Sequence, residues 1–474
     1  MKRFSIAGIG NSYVELSAPL KVYYDITTKC NLNCVFCFKG NPDIDVSRKQ
    51  AFDNISKIAD ANIPDVVFIG GEPLCCEFFF EAVEYAKSKG LNVGIVTNGT
   101  LFTEENVKRL KELVNNSISV SLHAPNDSLH DSISNGKNTY TKILNGLRLL
   151  NSSGIIPEIA FTPIKENVPF LFETIDGLLS KGIKVSDVLV NRLIPYGNAL
   201  IKWNEKKVGL EDQVFLLEQM YQLQVKYPDL ILASGDAIPF CMVEEKYRKL
   251  IARCDYAITL GWIDATNHFG KCMVRGCAGS EKLDNNTIKD LWKRSESFLC
   301  HRHMKSIPED CKSCEWLIEC GGGCACSSSD NTSRDAFFNS STRHIMPPNP
   351  RKTVLDSITP SAAETQSVLN ESVYTIHNRF LIRKEKNTDD IYEHCYLFIP
   401  ASSGAVIQDI IKPESGEMLW LNEVEKQILL YLQTDLTVKE VAKSVSYEFG
   451  IKIDEATLYV KKTIAGLEET GVLN

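Results

Sequence analysis

The stretch that decides the fold is Thr28–Cys37, with the sequence TKCNLNCVFC, which follows the apolar run 20–27. Its three cysteines are separated by three residues and then by two, so one short loop presents three thiolates: Cys30, Cys34 and Cys37. Thiolates are the usual ligands of iron–sulfur clusters, and a [4Fe–4S] cube held by three cysteines keeps one iron open for a cofactor. The alternatives are chance clustering or a zinc site, but zinc needs a fourth nitrogen or sulfur ligand, and the first histidine is His123.

Short β-branched runs alternate with helix-length segments after this loop. The strand-like runs are 65–69, 93–96, 118–121, 158–161 and 187–190, and the helical segments are roughly 46–61, 77–89, 103–114, 138–153 and 169–180. This alternation predicts an α/β fold, either a parallel barrel or a doubly wound sheet, with its binding groups at the carboxyl ends of the strands. Gly70 and Gly71 follow the first run, and they predict a place where the backbone comes close to a ligand.

Together these motifs resemble the radical S-adenosylmethionine (radical SAM) superfamily. The resemblance covers about residues 18–235 and rests on the cysteine loop, Gly70-Gly71-Glu72-Pro73, Thr97-Asn98-Gly99, Ser119-Val120-Ser121 and Arg192-Leu193-Ile194-Pro195-Tyr196-Gly197. It implies a radical SAM core built as a partial (β/α)6 TIM-like barrel, preceded by an N-terminal segment of residues 1–17.

The resemblance also implies the cofactors. SAM would chelate the open iron of the [4Fe–4S] cluster, and its cleavage would yield a 5′-deoxyadenosyl radical that takes a hydrogen atom from the substrate. The implied cofactor-binding residues are Gly70, Gly71, Glu72, Pro73, Asn98, Ser121 and Arg192. The chain departs from many relatives at one point, because no arginine follows His130-Asp131 within a few residues. The partner of the SAM carboxylate therefore stays open.

Composition excludes several other classes of protein. The 474 residues, enough for about three domains, carry a formal net charge of −8 with no long basic run, so no nucleic-acid partner is expected. The N-terminal residues lack the apolar core of a signal peptide, and no stretch is long enough to span a membrane. Sixteen cysteines without a secretion signal indicate metal clusters in a reducing compartment. We therefore expect a cytoplasmic protein.

Most of the other cysteines lie between residues 241 and 326. The spacing C-x2-C-x5-C-x3-C is formed by Cys311, Cys314, Cys320 and Cys324, and two cysteines precede it, Cys254 and Cys272. A zinc ribbon is the alternative, because C-x2-C pairs are common in zinc sites. The pattern resembles the SPASM extension of radical SAM enzymes, which carries one or two auxiliary [4Fe–4S] clusters, and we assign residues 236–326 to it. Asn267 stands where that family has a glycine, and asparagine also tolerates a left-handed turn.

The SPASM resemblance implies an interleaved pairing of these cysteines. The first auxiliary cluster would use Cys254, Cys272 and Cys324, and the second would use Cys311, Cys314 and Cys320. As fourth ligands we predict Cys241 for the first cluster and Cys326 for the second. For the second cluster, Cys277, Cys300 or an open iron are alternatives. Three cysteines lack such spacing and are interpreted as small buried hydrophobic residues: Cys75, Cys76 and Cys395.

The C-terminal part of the chain changes character. Residues 327–370 are rich in Ser, Thr, Asn and Pro, which is typical of a linker. In residues 371–474, strand-like runs at 373–376 and 395–399 precede three amphipathic helices, the second with the capping-box pair Thr437 and Glu440. This module resembles the PqqD-like domains called RiPP recognition elements, where RiPP denotes a ribosomally made, post-translationally modified peptide. The matching residues are 421–423, 437–442, 449–451 and 467–473.

That second resemblance implies a small winged-helix-like α+β domain, which binds the leader of a precursor peptide as an added strand. A DNA-binding winged helix is the alternative. The acidic net charge and the lack of a helix rich in Arg and Lys count against DNA binding.

The sequence therefore predicts a radical SAM/SPASM maturase that modifies a precursor peptide, through a thioether or carbon–carbon crosslink. Its partners would be that peptide with its leader and a reducing protein such as flavodoxin or ferredoxin. One alternative is an anaerobic sulfatase-type maturase that forms formylglycine, which needs no leader-binding module. Another is an iron–sulfur electron carrier without catalysis, which the intact cysteine loop and the turn at 70–73 disfavour.

Overall fold

A repeat of strands and helices forms the larger part of the molecule. The structure, a computed structural model, describes residues 2–5, 14–40, 44–274, 280–302, 307–327, 335–341, 343–344, 346, 381–387, 393–398, 417–421, 428, 437–449 and 451–468. The chain divides into two units. One contains Ala18–Pro347 and Ser403–Gln408, and the other contains Met1–Ser17, Pro348–Ser402 and Asp409–Asn474.

The first unit is built on a ten-stranded sheet. Its strands are β3 (Lys21–Thr27), β4 (Asp65–Gly70), β5 (Asn92–Thr97), β6 (Ile118–Ser121), β7 (Glu158–Phe161), β8 (Asp187–Val190), β9 (Ile231–Ser234), β10 (Leu260–Ile263), β11 (His268–Gly270) and β12 (Ser280–Lys282). The order in the sheet is β12-β11-β10-β3-β4-β5-β6-β7-β8-β9. Pairing is parallel from β10 through β9, and β11 and β12 continue the sheet antiparallel.

Helices lie between the strands of this sheet or, from residue 288 on, follow its last strand. They are α1 (Arg48–Asp60), α2 (Phe79–Ser88), α3 (Glu104–Leu113), α4 (Asp127–Ser134), α5 (Thr139–Ser152), α6 (Leu171–Leu179), α7 (Asn198–Ile201), α8 (Trp203–Lys206), α9 (Leu210–Lys226), α10 (Ile288–Arg294), α11 (Glu296–Arg302), α12 (Glu309–Lys312) and α13 (Leu317–Cys320). Helix α1 shows why they form: the side chain of Ser47 caps its first turn. Its buried Ala51, Ile55 and Ile58 recur at helical spacing.

Both faces of the sheet are buried, as is usual for parallel strands. In β4, Val66 and Phe68 belong to the main apolar core together with residues of the connecting helices. The alternate residues Val67 and Ile69 pack on the opposite face with Trp262 of β10. The predicted α/β fold with parallel strands is confirmed. The sheet is wider than predicted, because β9 and β10 extend it on its two sides.

The second unit contains a five-stranded antiparallel sheet made from both ends of the chain. Its strands are β1 (Lys2–Ser5), β2 (Val14–Glu15), β13 (Leu381–Asn387), β14 (Glu393–Phe398) and β15 (Glu417–Leu421), in the order β1-β15-β14-β13-β2. Residues 1–17, which the sequence suggested as a separate segment, thus belong to this unit. The predicted strand at 373–376 lies outside the described residues.

Among the described residues of the same unit, two helices follow the sheet, α14 (Val438–Phe449) and α15 (Ile453–Glu468). The predicted capping box begins α14: the hydroxyl of Thr437 accepts from the amide of Glu440 (3.4 Å), and the Glu440 carboxylate accepts from the amide of Thr437 (2.8 Å). Buried Val441 and Val445 of α14 and Val460 and Ile464 of α15 form the apolar faces. Among the described helices, none is both long and apolar enough to cross a membrane.

Candidate functional site

The three cysteines of the predicted cluster lie on the loop that follows β3, at the carboxyl ends of the parallel strands. Cys30 is exposed, whereas Cys34 and Cys37 are partly buried. Although Cys30 is exposed as a residue, desolvation of its sulfur within the loop raises the pKa of its thiol to about 11, and nearby Glu72 and Cys37 raise it further. Burial likewise raises the pKa of Cys34, with repulsion from Cys37 and Cys30 added. Three thiolates on this loop would repel one another, and the positive charge of bound iron would offset that repulsion, so the loop fits an iron–sulfur cluster.

The turn at the end of the 192–197 motif shapes this loop. The amide N–H of Asn198 donates to the carbonyl of Cys37 (2.8 Å), and the side-chain amide of Asn198 donates to the carbonyl of Cys34 (3.0 Å). Gly197 has a φ of +58°, and a Cβ there would lie 2.4 Å from the Cys37 carbonyl oxygen. Only glycine allows this approach, so the motif holds the cysteine loop from outside.

The two glycines of the 70–73 turn let it approach the backbone just before the cysteine loop. Gly70 has a φ of +146°, and a Cβ there would lie 2.1 Å from the carbonyl oxygen of Thr27. A Cβ on Gly71 would lie 2.3 Å from the carbonyl oxygen of Lys29. The sequence predicted that these glycines let the backbone come close to a ligand, and that stays a prediction; the structure adds that a Cβ at either position would meet the chain's own backbone. They position the start of the cysteine loop.

Glu72 connects the same turn to the end of β5. Its buried carboxylate accepts from the amide N–H of Asn98 (2.7 Å), the hydroxyl of Thr97 (2.8 Å) and the amide N–H of Leu74 (3.1 Å). Burial raises the pKa of Glu72 to about 7, and these three donors oppose the rise. The side-chain amide of Asn98 lies 3.8 Å from the Cys30 sulfur. Glu72 therefore places Asn98 beside the predicted cluster.

Two other predicted cofactor residues also lie at this edge. Pro73 is buried and begins the 3-10 turn Pro73–Cys75. Ser121 is half-buried and ends β6, next to the end of β5 in the sheet. Both therefore share the edge of the sheet with the cysteine loop.

Arg192 lies in a different environment from the one the resemblance implied. Its guanidinium is 3% exposed and donates to the carboxylate of Asp335 (2.6 Å) and to the carbonyl of Ala237 (2.8 Å). The same Asp335 carboxylate accepts from the amide N–H of Cys324 (2.6 Å). Arg192 thus supports the cysteine-rich segment, and the structure gives it no bond to the turns at 70–73 or 97–99.

One group of cysteines in that segment lines a single cavity of about 400 Å³, and its members are Cys241, Cys311, Cys314 and Cys320. The Cys320 sulfur accepts from the amide N–H of Phe240 (3.4 Å), which is the residue before Cys241. Burial raises the pKa of Cys320 to about 12, and repulsion from Cys241 and Cys311 contributes.

A second group is Cys254, Cys272, Cys324 and Cys326. The sulfur atoms of Cys272 and Cys326 are 3.8 Å apart, and both residues share an apolar cluster with Cys324. Burial raises the pKa of Cys254, Cys272 and Cys324, and each of these groups lies near enough to another of the three to raise its pKa further when ionised. Cys326 is disulfide-bonded in this structure.

In the part of the chain that the structure describes, no three His, Cys, Asp or Glu side chains surround one metal-ion position. A cube differs from a single ion because each of its thiolate ligands binds a different iron, so its ligands stand apart. Of the cysteines interpreted as hydrophobic, Cys76 is buried and Cys75 is partly buried. The side chain of Cys395 lies outside the described residues.

Three structural contributors escaped the sequence analysis: Asp45, Asn198 and Asp335. Asp45 accepts from the hydroxyl of Thr27 (2.8 Å) and the amide N–H of Thr28 (3.2 Å), just before the cysteine loop. Asn198 follows a recognised motif directly, and that adjacency is a usable signal. Asp335 lies in the Ser- and Asn-rich stretch interpreted as linker, so composition concealed it.

Comparison with known proteins agrees with this geometry. Residues 24–167 match the model of the radical SAM superfamily. The chain contains a radical SAM domain. The matched residues begin within β3 and end just before the 3-10 turn Val168–Phe170, which leads into α6. They include the cysteine loop and the turns at 70–73 and 97–99.

Similar proteins extend the likeness beyond this radical SAM domain. The AdoMet-dependent heme synthase of Methanosarcina barkeri is 24% identical over 332 residues, which cover 65% of this chain and 91% of that protein. Mycofactocin maturase MftC of Mycolicibacterium smegmatis is 25% identical over 325 residues, 65% of this chain and 79% of that protein. The crystal structure of Streptococcus suis SuiB bound to S-adenosylmethionine superimposes with a TM-score of 0.56 at 19% identity. It covers 68% of this chain and 78% of SuiB, and it shows the fold.

Proposed function

We propose that this protein is a radical SAM maturase that modifies a ribosomally made precursor peptide. The observation that carries the proposal is the presence of two different units in one chain. One is a radical SAM unit with its cysteine loop at the carboxyl ends of parallel strands. The other is a small antiparallel sheet with helices, an architecture that captures extended peptides by strand addition. The likeness to a maturase and to SuiB, which was also solved with its precursor peptide SuiA, supports this reading.

The radical SAM unit supplies the arrangement that hydrogen abstraction needs. When bound, a [4Fe–4S] cluster and SAM would supply the radical that removes a hydrogen atom from a peptide residue. Cys30, Cys34 and Cys37 would hold that cluster. Asn98 lies beside Cys30, and we assign it and Ser121 to contacts with SAM. Glu72 acts as a positioning residue, because its carboxylate is already occupied by three donors from the chain.

The remaining site residues would serve the auxiliary clusters. We assign Cys241, Cys254, Cys272, Cys311, Cys314, Cys320, Cys324 and Cys326 to them. Arg192 and Asp335 would stabilise this segment, since their ion pair is buried and Asp335 also binds the amide of Cys324. A crosslink, either thioether or carbon–carbon, is the modification that we expect.

The second unit, with its five-stranded sheet, would bind the leader of the peptide. Strand β2 pairs with β13 only at Lys386 and Asn387. Over 381–385 the outer side of β13 has no strand partner among the described residues. An extended leader could form backbone hydrogen bonds there, while side-chain pockets would supply selectivity.

The test uses the full chain, reconstituted with iron under anaerobic conditions and supplied with SAM, dithionite and the short peptide encoded beside its gene. We expect 5′-deoxyadenosine and a peptide that has lost two hydrogen atoms, measured by mass spectrometry. The matched control is the same peptide without its leader half, which should be modified much more slowly. SAM cleavage with an unchanged peptide would contradict the proposal, and an aldehyde product would favour the sulfatase-type reaction.

A second candidate function follows from the heme synthase likeness, which covers nearly the whole length of that relative. The same anaerobic protein should therefore be incubated with porphyrin precursors of heme. Conversion to heme, followed by its absorption spectrum, would favour this candidate. About a third of the chain lies outside that alignment, and peptide capture gives the additional residues a purpose that porphyrin chemistry does not.

A further inference from the structure

We propose that the fourth ligands of the two auxiliary clusters are exchanged relative to the order expected from the SPASM resemblance. Cys241 completes the set of Cys311, Cys314 and Cys320, and Cys326 completes the set of Cys254, Cys272 and Cys324. The inference rests on the proposed function only in that both auxiliary clusters are present. It assigns four thiolates to each cluster, so neither has an iron open to the peptide.

The position of Cys241 carries the first half of the inference. Of the described cysteines, only Cys241 lines the same cavity as Cys311, Cys314 and Cys320. It is anchored there on both sides. Its own carbonyl accepts from the amide N–H of His344 (2.7 Å), and the residue before it donates to the Cys320 sulfur.

The position of Cys326 carries the second half. Its sulfur lies 3.8 Å from that of Cys272, and it is buried beside Cys324 in the same apolar cluster. Cys326 does not line the cavity that contains Cys311, Cys314 and Cys320. The disulfide at Cys326 yields a thiolate on reduction, and reducing conditions are those in which thiolates bind iron.

The fold explains why chain order misleads here. Cys320 is the last residue of α13. Cys324 follows directly after the glycine turn 321–323, in which all three glycines have positive φ. The chain therefore turns sharply between them and sends the two sulfur atoms into different groups. Cys326 follows Cys324 in the 3-10 turn Ala325–Ser327, so it stays with Cys324 and away from Cys320.

The experiment measures which cysteines lose protection when one ligand is removed. A thiolate bound to iron is shielded from alkylation, whereas a free thiolate reacts. The full-length protein is reconstituted anaerobically, treated with iodoacetamide and digested, and the labelled cysteines are quantified by mass spectrometry. In Cys241→Ser we expect severalfold more label on Cys311, Cys314 and Cys320. In Cys326→Ser we expect the same increase in label on Cys254, Cys272 and Cys324.

The matched control is Cys300→Ser, because Cys300 belongs to neither group and should leave both label patterns unchanged. Iron content and the electron paramagnetic resonance spectrum of the reduced protein show that each variant still folds and holds its other clusters. Label on Cys254 and Cys272 in Cys241→Ser would overturn the inference, as would no change in that variant. Failure of the proposed function shows separately, as absence of peptide modification by the wild type.

Discussion

The cysteine loop and the cysteine-rich segment hold sulfur ligands in opposite ways. In the loop, three cysteines within eight residues converge because they are neighbours in sequence, and two distant turns hold them. In the segment, each group of four draws cysteines from stretches up to about 80 residues apart. Local spacing alone therefore predicts the first site. In the second, only tertiary structure decides which cysteine belongs to which group.

The largest expected effect tests the loop side of this comparison. Replacing Cys30, Cys34 and Cys37 together by Ala should abolish SAM cleavage, because no thiolate remains to hold the cluster that binds SAM. 5′-Deoxyadenosine formed under dithionite is the measurement. Iron should fall by about four atoms per chain, one cube, while the auxiliary iron remains. Cys75→Ser, close to the loop but outside its spacing, should still cleave SAM. Deoxyadenosine from the triple variant would break the assignment.

The next prediction concerns the ion pair on the cysteine-rich side. Asp335→Asn leaves the buried guanidinium of Arg192 without its countercharge, so we expect a loss of about 3–5 kcal/mol in stability. The melting temperature and the iron retained after reconstitution measure it. Asp53→Asn is the matched control, because it breaks an exposed pair with Lys49 and should cost about 1 kcal/mol or less. If Asp335→Asn instead weakened SAM binding and left the iron content intact, Arg192 would act in SAM binding and not in support of the cysteine-rich segment.

A smaller effect is the pH dependence of stability that arises from Glu72, the residue that connects the turn at 70–73 to the end of β5. The pKa of Glu72 is about 7 when folded and near 4.5 when unfolded, so between these values the folded state binds the extra proton. Stability from this group should therefore be present below about pH 4.5 and fall as pH rises to 7, by up to about 3 kcal/mol.

Melting temperatures of the wild type and Glu72→Gln, measured from pH about 5 to about 8, check this expectation. Glutamine does not ionise, so the variant should lose less stability over that range than the wild type. The comparison concerns the slopes, since glutamine also weakens the bonds to Thr97 and Asn98. Parallel slopes would mean that Glu72 is ionised throughout and that the surrounding donors outweigh its burial.

The smallest expected effect concerns Asn198. Asn198→Ala removes the side-chain bonds to the Cys34 carbonyl (3.0 Å) and to Asn33 (2.8 Å), at a cost of roughly 1–2 kcal/mol. We expect the variant to lose its SAM-cleaving activity faster on exposure to a chelator, with normal initial activity. Asn145→Ala, on an exposed part of α5, is the control. An unchanged rate of inactivation would show that the backbone bond from residue 198 is sufficient.

The sequence predicted the (β/α) core well because strand and helix signals there are local. Strands β4, β5 and β6 coincide with the predicted β-branched runs. Of helices α1 to α6, all but α4 lie within the predicted helical segments. Prediction was weaker where a residue's partner is distant in sequence. Arg192 belongs to a recognised motif, yet its role depends on Asp335, which is 143 positions away in a stretch without periodicity. The sequence pointed to Gly70 and Gly71 but not to Thr27 and Lys29, whose backbone a Cβ at these glycines would meet.

The pairing of β1 with β15 affects how the protein is made. Residues Lys2 to Ser5 are synthesised before their partners Glu417 to Trp420, which follow more than 400 residues later. At 5–20 residues per second, this separation corresponds to roughly 20 to 80 s of synthesis. During that time the first strand has no partner in its own sheet, while the radical SAM unit can fold. The five-stranded sheet can therefore close only after β15 is made, so a chain released before residue 417 would lack the partner strand of β1.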